Sequence, residues 1–125
     1  MATETGRVSN AREPLLSVRL GGRLTVECLV DTGFSGALML PGQIVSDLAI
    51  PIIGREVFEM VGGRFFSAAI ALAEFDWLGQ RQAARVVVSD GSDSLLGAEM
   101  LDGRRLIIDY LNNTVILTDE SARQF

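Results

Sequence analysis

Apolar and polar positions alternate along much of this chain. From Leu15 to Leu20, Leu16, Val18 and Leu20 fall on one side and Ser17 and Arg19 on the other. That two-residue period predicts a half-buried strand. Gly21-Gly22 follows as a two-residue hairpin signal. The return strand, Arg23 to Val30, carries Leu24, Val26, Cys28 and Val30 on one face and Arg23, Thr25 and Glu27 on the other. Leu29 breaks the alternation, so both faces turn apolar just before Asp31 and the strand should enter the interior there.

Ala37 to Leu40 predicts a short strand stopped by Pro41, and Gln43 to Leu48 a short helix between Pro41-Gly42 and Pro51. Ile52 to Val61 is extended or mixed. Gly62-Gly63 is a second hairpin signal, returning as a long strand from Arg64 to Phe75. Met60, Val61, Phe65 and Phe66 give its tip more apolar surface than an idle turn needs, so this hairpin should project. After a turn at Leu78-Gly79-Gln80, the β-branched centre Val86-Val87-Val88 predicts a strand over Arg85 to Ser89. Asp90 to Ser94 is a polar loop, Leu95-Leu96-Gly97 a short apolar run ending in glycine, and Ala98 to Leu101 a single helical turn. Leu106 to Tyr110 and Thr114 to Thr118 flank Asn112-Asn113 as a last hairpin. Many short strands and at most two short helices predict a mostly β fold, a small closed or semi-closed barrel. Residues 1–14 read as a flexible arm, 15–118 as one domain and 119–125 as a polar tail.

Composition narrows the chemistry. The 125 residues contain no His, which removes Ser-His-Asp and Cys-His catalysis and His-ligated zinc. A net charge of −5 argues against nucleic-acid binding through phosphate neutralisation. Hydrophobic residues make up 48%, enough for a packed core. The single cysteine, Cys28, cannot form an intrachain disulfide and reads as core packing. The first residues lack the apolar run of a signal peptide, and Ala68 to Ala73, the longest such run, is too short to span a bilayer. We therefore expect a cytoplasmic protein without membrane insertion, metal or cofactor.

One stretch stands out: Cys28-Leu29-Val30-Asp31-Thr32-Gly33-Phe34-Ser35-Gly36. It sets a carboxylic acid at the end of an apolar run and ahead of a glycine turn. Peptide hydrolysis by aspartic acids needs two carboxyls around one water, one ionised to take a proton and one protonated to polarise the scissile carbonyl. They share a proton because two charges about 3 Å apart repel by about 5 kcal/mol at an effective dielectric of 20. The chain has a single Asp-Thr-Gly; Asp90-Gly91-Ser92 and Asp102-Gly103 have the wrong order and lie in polar loops. The second carboxyl must then come from another copy of Asp31 across a twofold axis. The cleft between the copies would take a polypeptide and be covered by two projecting hairpins. Gly33 lets the backbone approach water and substrate, the Thr32 hydroxyl can bond across the dimer, and Ser35 can bond turn backbone. Gly97 would let the Leu95-Leu96 strand pass tightly beneath the turn.

On Leu29-Val30-Asp31-Thr32-Gly33-Phe34-Ser35-Gly36, the later Leu95-Leu96-Gly97 and the glycine hairpin between them, the chain resembles the retroviral-like (retropepsin-type) aspartic proteases, most closely their small cellular and bacterial members. The resemblance covers about Leu15 to Leu117 and makes 15–118 a retropepsin-like domain, one subunit equal to half of a two-lobed aspartic protease. It implies a homodimer with one Asp31 per subunit, Thr32 gripping across the interface, and a flap formed by Met60, Val61, Gly62, Gly63, Arg64 and Phe65. Retroviral members carry a small residue after Asp-Thr-Gly, then an Asp, and an Arg after the later glycine; here these positions are Phe34, Ser35 and Ala98. Phe34 offers no hydroxyl to the carboxylate, and we expect activity at mildly acidic to neutral pH. The rival reading is a catalytically silent dimeric β module that binds peptides or mediates assembly.

Overall fold

The computed structural model describes residues 1–119. Its strands are β1 (Thr3–Val8), β2 (Pro14–Leu20), β3 (Leu24–Val30) and β4 (Leu38–Pro41), then, after helix α1 (Gly42–Asp47), β5 (Ile52–Glu59), β6 (Phe65–Trp77), β7 (Gln80–Ser89) and β8 (Leu95–Leu96). A 3-10 turn, Ala98–Met100, leads to β9 (Arg105–Asp109) and β10 (Thr114–Thr118). The strands join in the order β5-β6-β7-β4-β8-β3-β2-β1-β10-β9. A further pairing of β2 with β6, Leu20 opposite Phe75, curls this sheet into a ring.

The alternation read from the sequence fills that ring. Leu16, Val18 and Leu20 from β2, Val26, Cys28 and Val30 from β3, and Ala71, Ala73, Phe75 and Trp77 from β6 share one buried cluster. The Trp77 indole N–H donates to the Met100 carbonyl at 3.3 Å, so the largest core side chain has its polar atom satisfied and ties β6 to the 3-10 turn. Truncating a fully enclosed leucine such as Leu16 in this cluster should cost about 2–5 kcal/mol.

Three local expectations are corrected. Residues 3–8, expected in a loose arm, form β1, paired from Thr3↔Thr118 to Arg7↔Thr114 with β10. The sequence Thr-Glu-Thr-Gly-Arg-Val has no apolar alternation to announce a strand. Its place is fixed by the backbone ladder, by Arg7 donating to both Glu27 carboxylate oxygens at 2.7 and 2.8 Å, and by Gly6, where a Cβ would lie 1.8 Å from the Leu15 carbonyl oxygen. The first hairpin loop spans residues 21–23, because Leu20 pairs with Leu24 and the Arg23 amide donates to Leu20. β7 begins at Gln80 and not at Arg85, because Leu78 and Gly79, both at positive φ (50° and 78°), close a two-residue turn.

The helix lies one residue earlier than expected, at Gly42–Asp47, and the single turn at Ala98–Met100 is present. The polar tail expected over 119–125 falls outside the described residues except Asp119. Its carboxylate accepts from the Ala2 amide at 2.9 Å. No described helix is long and apolar enough to cross a membrane.

Candidate active site

The Asp31 turn is clamped by backbone from below. β8 lies parallel to β3, with Leu29↔Leu95 and Val30↔Leu96, and antiparallel to β4, with Leu38↔Leu96. The chain leaves β3, makes the Asp31 turn and returns as β4, with β8 threaded between its two legs. The Asp31 amide donates to the Leu96 carbonyl at 2.9 Å, and the Phe34 amide closes the turn on the Asp31 carbonyl at 3.1 Å. After β8, Gly97 donates to Ala37 at 2.8 Å and Ala98 to Phe34 at 2.7 Å. The approach is so close that a Cβ on Gly97 would stand 2.1 Å from the Gly36 carbonyl oxygen and 2.6 Å from that of Phe34. Leu96 and Gly97 are thus brought directly against Asp31, Phe34 and Gly36, with Leu95 paired to Leu29 beside them.

Asp31 is half-buried, and its Oδ1 accepts the Gly33 amide at 2.9 Å. That bond fixes the side-chain torsion and leaves Oδ2 without a partner among the described residues. Thr32, Gly33 and Ser35 are exposed. Neither the Thr32 nor the Ser35 hydroxyl makes a hydrogen bond among the described residues, so the backbone bond expected of Ser35 is not made. Phe34 turns the other way. Its ring lies over Gly36 and Gly97, where added Cβ atoms would meet it at 2.8 and 2.6 Å. It also packs against a small cluster built on Ala68, Ile70 and Val87, together with Met39 and Phe58. The bulky residue after Asp-Thr-Gly is therefore accommodated by two glycines, and it links the turn to the base of the β5–β6 hairpin.

Between the turn and that hairpin lies a cleft of about 450 Å³. Gly33, Phe34 and Ser35 form one side, and Phe58 and Phe66, stacked at 5.2 Å between ring centroids, form the other. Arg85 and Glu56 form an ion pair on the lining, and Glu99 adds a carboxylate. The sequence reading missed Phe58, Glu56, Arg85 and Glu99. The cross-strand register Phe58↔Phe66 is the signal that places Phe58 there, and it depends on the loop length.

At the hairpin tip the Met60 amide donates to Arg64 at 2.6 Å, and Gly62 and Gly63 take positive φ (95° and 76°). Met60, Val61 and Phe65 are exposed, with Val61 fully so. None of Met60, Val61, Gly62, Gly63, Arg64 or Phe65 lines the cleft in the single chain, whereas Glu59 and Phe66 at the tip's base do. Cys28 is enclosed, and burial pushes its thiol up to about 12.

A retropepsin-like protease from Rickettsia conorii has the same architecture, with a TM-score of 0.60 and 16% identity over 93% of this chain and 98% of its own. EIAV protease, solved with the inhibitor HBY-793, matches with a TM-score of 0.60 and 19% identity over 74% of this chain and 88% of its own. The fold is that of the retropepsin-like proteases. A foamy viral protease–reverse transcriptase also carries this retropepsin-like unit, at a TM-score of 0.54 and 16% identity over 71% of this chain, which spans 11% of that longer chain. No protein-family model matches the sequence, and no curated protein matches it either. The retropepsin-like fold thus rests on three-dimensional likeness.

Proposed function

We propose that the chain is one half of an aspartic endopeptidase, completed when two copies bring their Asp31 carboxyls together across a twofold axis. The observation that carries this reading is the clamped turn. The Asp31 amide donates to Leu96, and the Gly33 and Phe34 amides donate to the Asp31 carboxylate and carbonyl, so Asp31 is held at a defined angle with one carboxylate oxygen occupied and the other without a partner among the described residues. In the dimer the free oxygens flank one water. The ionised carboxyl takes its proton while the protonated one donates to the scissile carbonyl, and the two exchange roles when the amine leaves.

The exposed Thr32 hydroxyl, which makes no hydrogen bond among the described residues, bonds the partner's turn. The cleft beside Gly33 receives a stretch of polypeptide, with the Phe58 and Phe66 rings against substrate side chains. The β5–β6 hairpin closes over it as a flap, with its apolar tip gaining partners only on closure. The chemistry needs no metal or cofactor. The test is cleavage of an unstructured protein by purified material, with and without Asp31→Asn. The reading expects cleavage by the wild type alone. Equal cleavage by both variants refutes it, and peptide binding without cleavage by either supports the silent binding module.

A further inference from the structure

The cleft between the Asp31 turn and the β5–β6 hairpin carries an uneven set of charges. Glu56, Glu59 and Glu99 line it against one cation, Arg85. Arg85 is already answered by Glu56, its ion-pair partner across β6. Glu59 follows Phe58 along β5, so its side chain starts on the opposite face of that strand and adds charge only at the rim. Glu99 differs from both. Its amide donates to the Gly36 carbonyl at 3.2 Å, which seats the residue against the chain just after the Asp31 turn. Its carboxylate has no hydrogen bond or ion pair among the described residues, and it lines the same cleft as Gly33 and Phe34.

The remaining walls are apolar and aromatic. Phe58 and Phe66 stack, and Phe66 is 37% exposed, so the pair keeps ring surface open to an incoming group. An apolar side chain entering here would cover the Glu99 carboxylate without pairing it, which costs free energy. An acidic one would meet an unpaired like charge. Arginine suits both walls. Its stem packs on apolar surface, and its planar guanidinium stacks on aromatic rings and donates two parallel N–H groups to a carboxylate. A lysine ammonium does neither as well. We propose that this cleft is a pocket for a substrate arginine, with Glu99 receiving the guanidinium and the Phe58–Phe66 pair packing its stem.

Cleavage beside arginine rests on the paired-Asp31 reading above and gives that site its substrate class: polypeptides with an arginine close to the scissile bond. A twofold axis between the two Asp31 turns places one such cleft on each side of them, so an arginine on either side of the cut is served. The preference is electrostatic in part, and salt weakens it.

The experiment starts from a digest of denatured proteins by the full chain, with cut sites read by mass spectrometry and Asp31→Asn as the blank. Arginine should be enriched within three residues of the cut on both sides. A peptide carrying one such site is then compared with the same peptide in which citrulline, the neutral isostere, replaces the arginine. The ratio of their kcat/KM values should be about three- to thirtyfold in wild type at low salt and smaller at 1 M salt. Glu99→Arg should bring the ratio below one, and Glu99→Gln should lower it by about twofold or more. Circular dichroism checks each fold, and Glu99→Gln decides if Glu99→Arg does not fold. Cleavage with a wild-type ratio near one, or with the wild-type ratio kept in the Glu99 variants, overturns the arginine pocket and leaves the paired-Asp31 reading intact. Absence of cleavage overturns the endopeptidase reading instead. The pocket is then decided by fluorescence anisotropy of the two labelled peptides: tighter binding of the arginine form, lost in Glu99→Arg, upholds it, and equal binding overturns it.

Discussion

Replacing Gly97 by alanine tests the clamp beneath Asp31. Gly97 has φ −97° and ψ −179°, an extended conformation open to any residue, so conformational freedom is not why glycine sits there. Space is. The added Cβ would be 2.1 Å from the Gly36 carbonyl oxygen and 2.6 Å from the Phe34 carbonyl oxygen. Both are backbone atoms, and no rotamer change moves them. Overpacking in a core costs about 1–3 kcal/mol where side chains can give way, and backbone contacts belong at the upper end. Moving β8 away also stretches Gly97 to Ala37 and Ala98 to Phe34, hydrogen bonds worth about 1 kcal/mol each. The sum is about 3–5 kcal/mol.

Urea unfolding at equilibrium measures it, with Gly54→Ala as a control at a position where a Cβ meets nothing within 4 Å. Phe34→Ala sharpens the test. At Gly36 the near atoms belong to the Phe34 ring alone, so Phe34→Ala should offset much of the cost of Gly36→Ala. At Gly97 the carbonyls remain, and Phe34→Ala should not rescue. A Gly97→Ala protein within about 1 kcal/mol of wild type, or one rescued by Phe34→Ala, refutes the reasoning.

Other outcomes follow from single contacts. Burial raises the Cys28 thiol to about 12, so the native protein should resist thiol reagents at pH 8 and react fully in denaturant; rapid native labelling contradicts the placement of Cys28 in the core. Hydrogen bonds from Asn112 and Leu111 hold the Asp109 carboxyl below its usual range. A depressed acid stabilises the fold above its unfolded value of about 3.9, and that contribution is lost as pH falls through the lower folded value. The stability gap between wild type and Asp109→Asn, followed by thermal unfolding of dilute protein, should therefore narrow below about pH 4, and a constant gap contradicts the assignment.

How much of this was readable in the sequence varies with the kind of force involved. β2 and β3 were legible because burial of Leu16, Val18, Val26 and Cys28 imposes a two-residue period, and the Asp31 turn was legible because its apolar approach and glycines have a steric purpose. β1 was not, because backbone pairing with β10 and the Arg7–Glu27 contact hold it and neither leaves a hydrophobic pattern. The cleft was legible only in part. Phe34 was seen as oversized, but its accommodation by Gly36 and Gly97 depends on β8 passing between β3 and β4, a long-range pairing. Glu56, Phe58 and Arg85 reach the cleft through hairpin registers that a shift of one residue would reverse.

The central claim is that each chain supplies half of one site, and subunit mixing tests it most directly. Wild type at fixed concentration is titrated with Asp31→Asn under conditions where native mass spectrometry shows that mixed dimers form. If both Asp31 carboxyls are required, cleavage per wild-type chain should fall to about half at one equivalent of the variant and to about a quarter at three, as wild-type pairs are diluted. Cleavage that stays constant while mixed dimers accumulate contradicts the account.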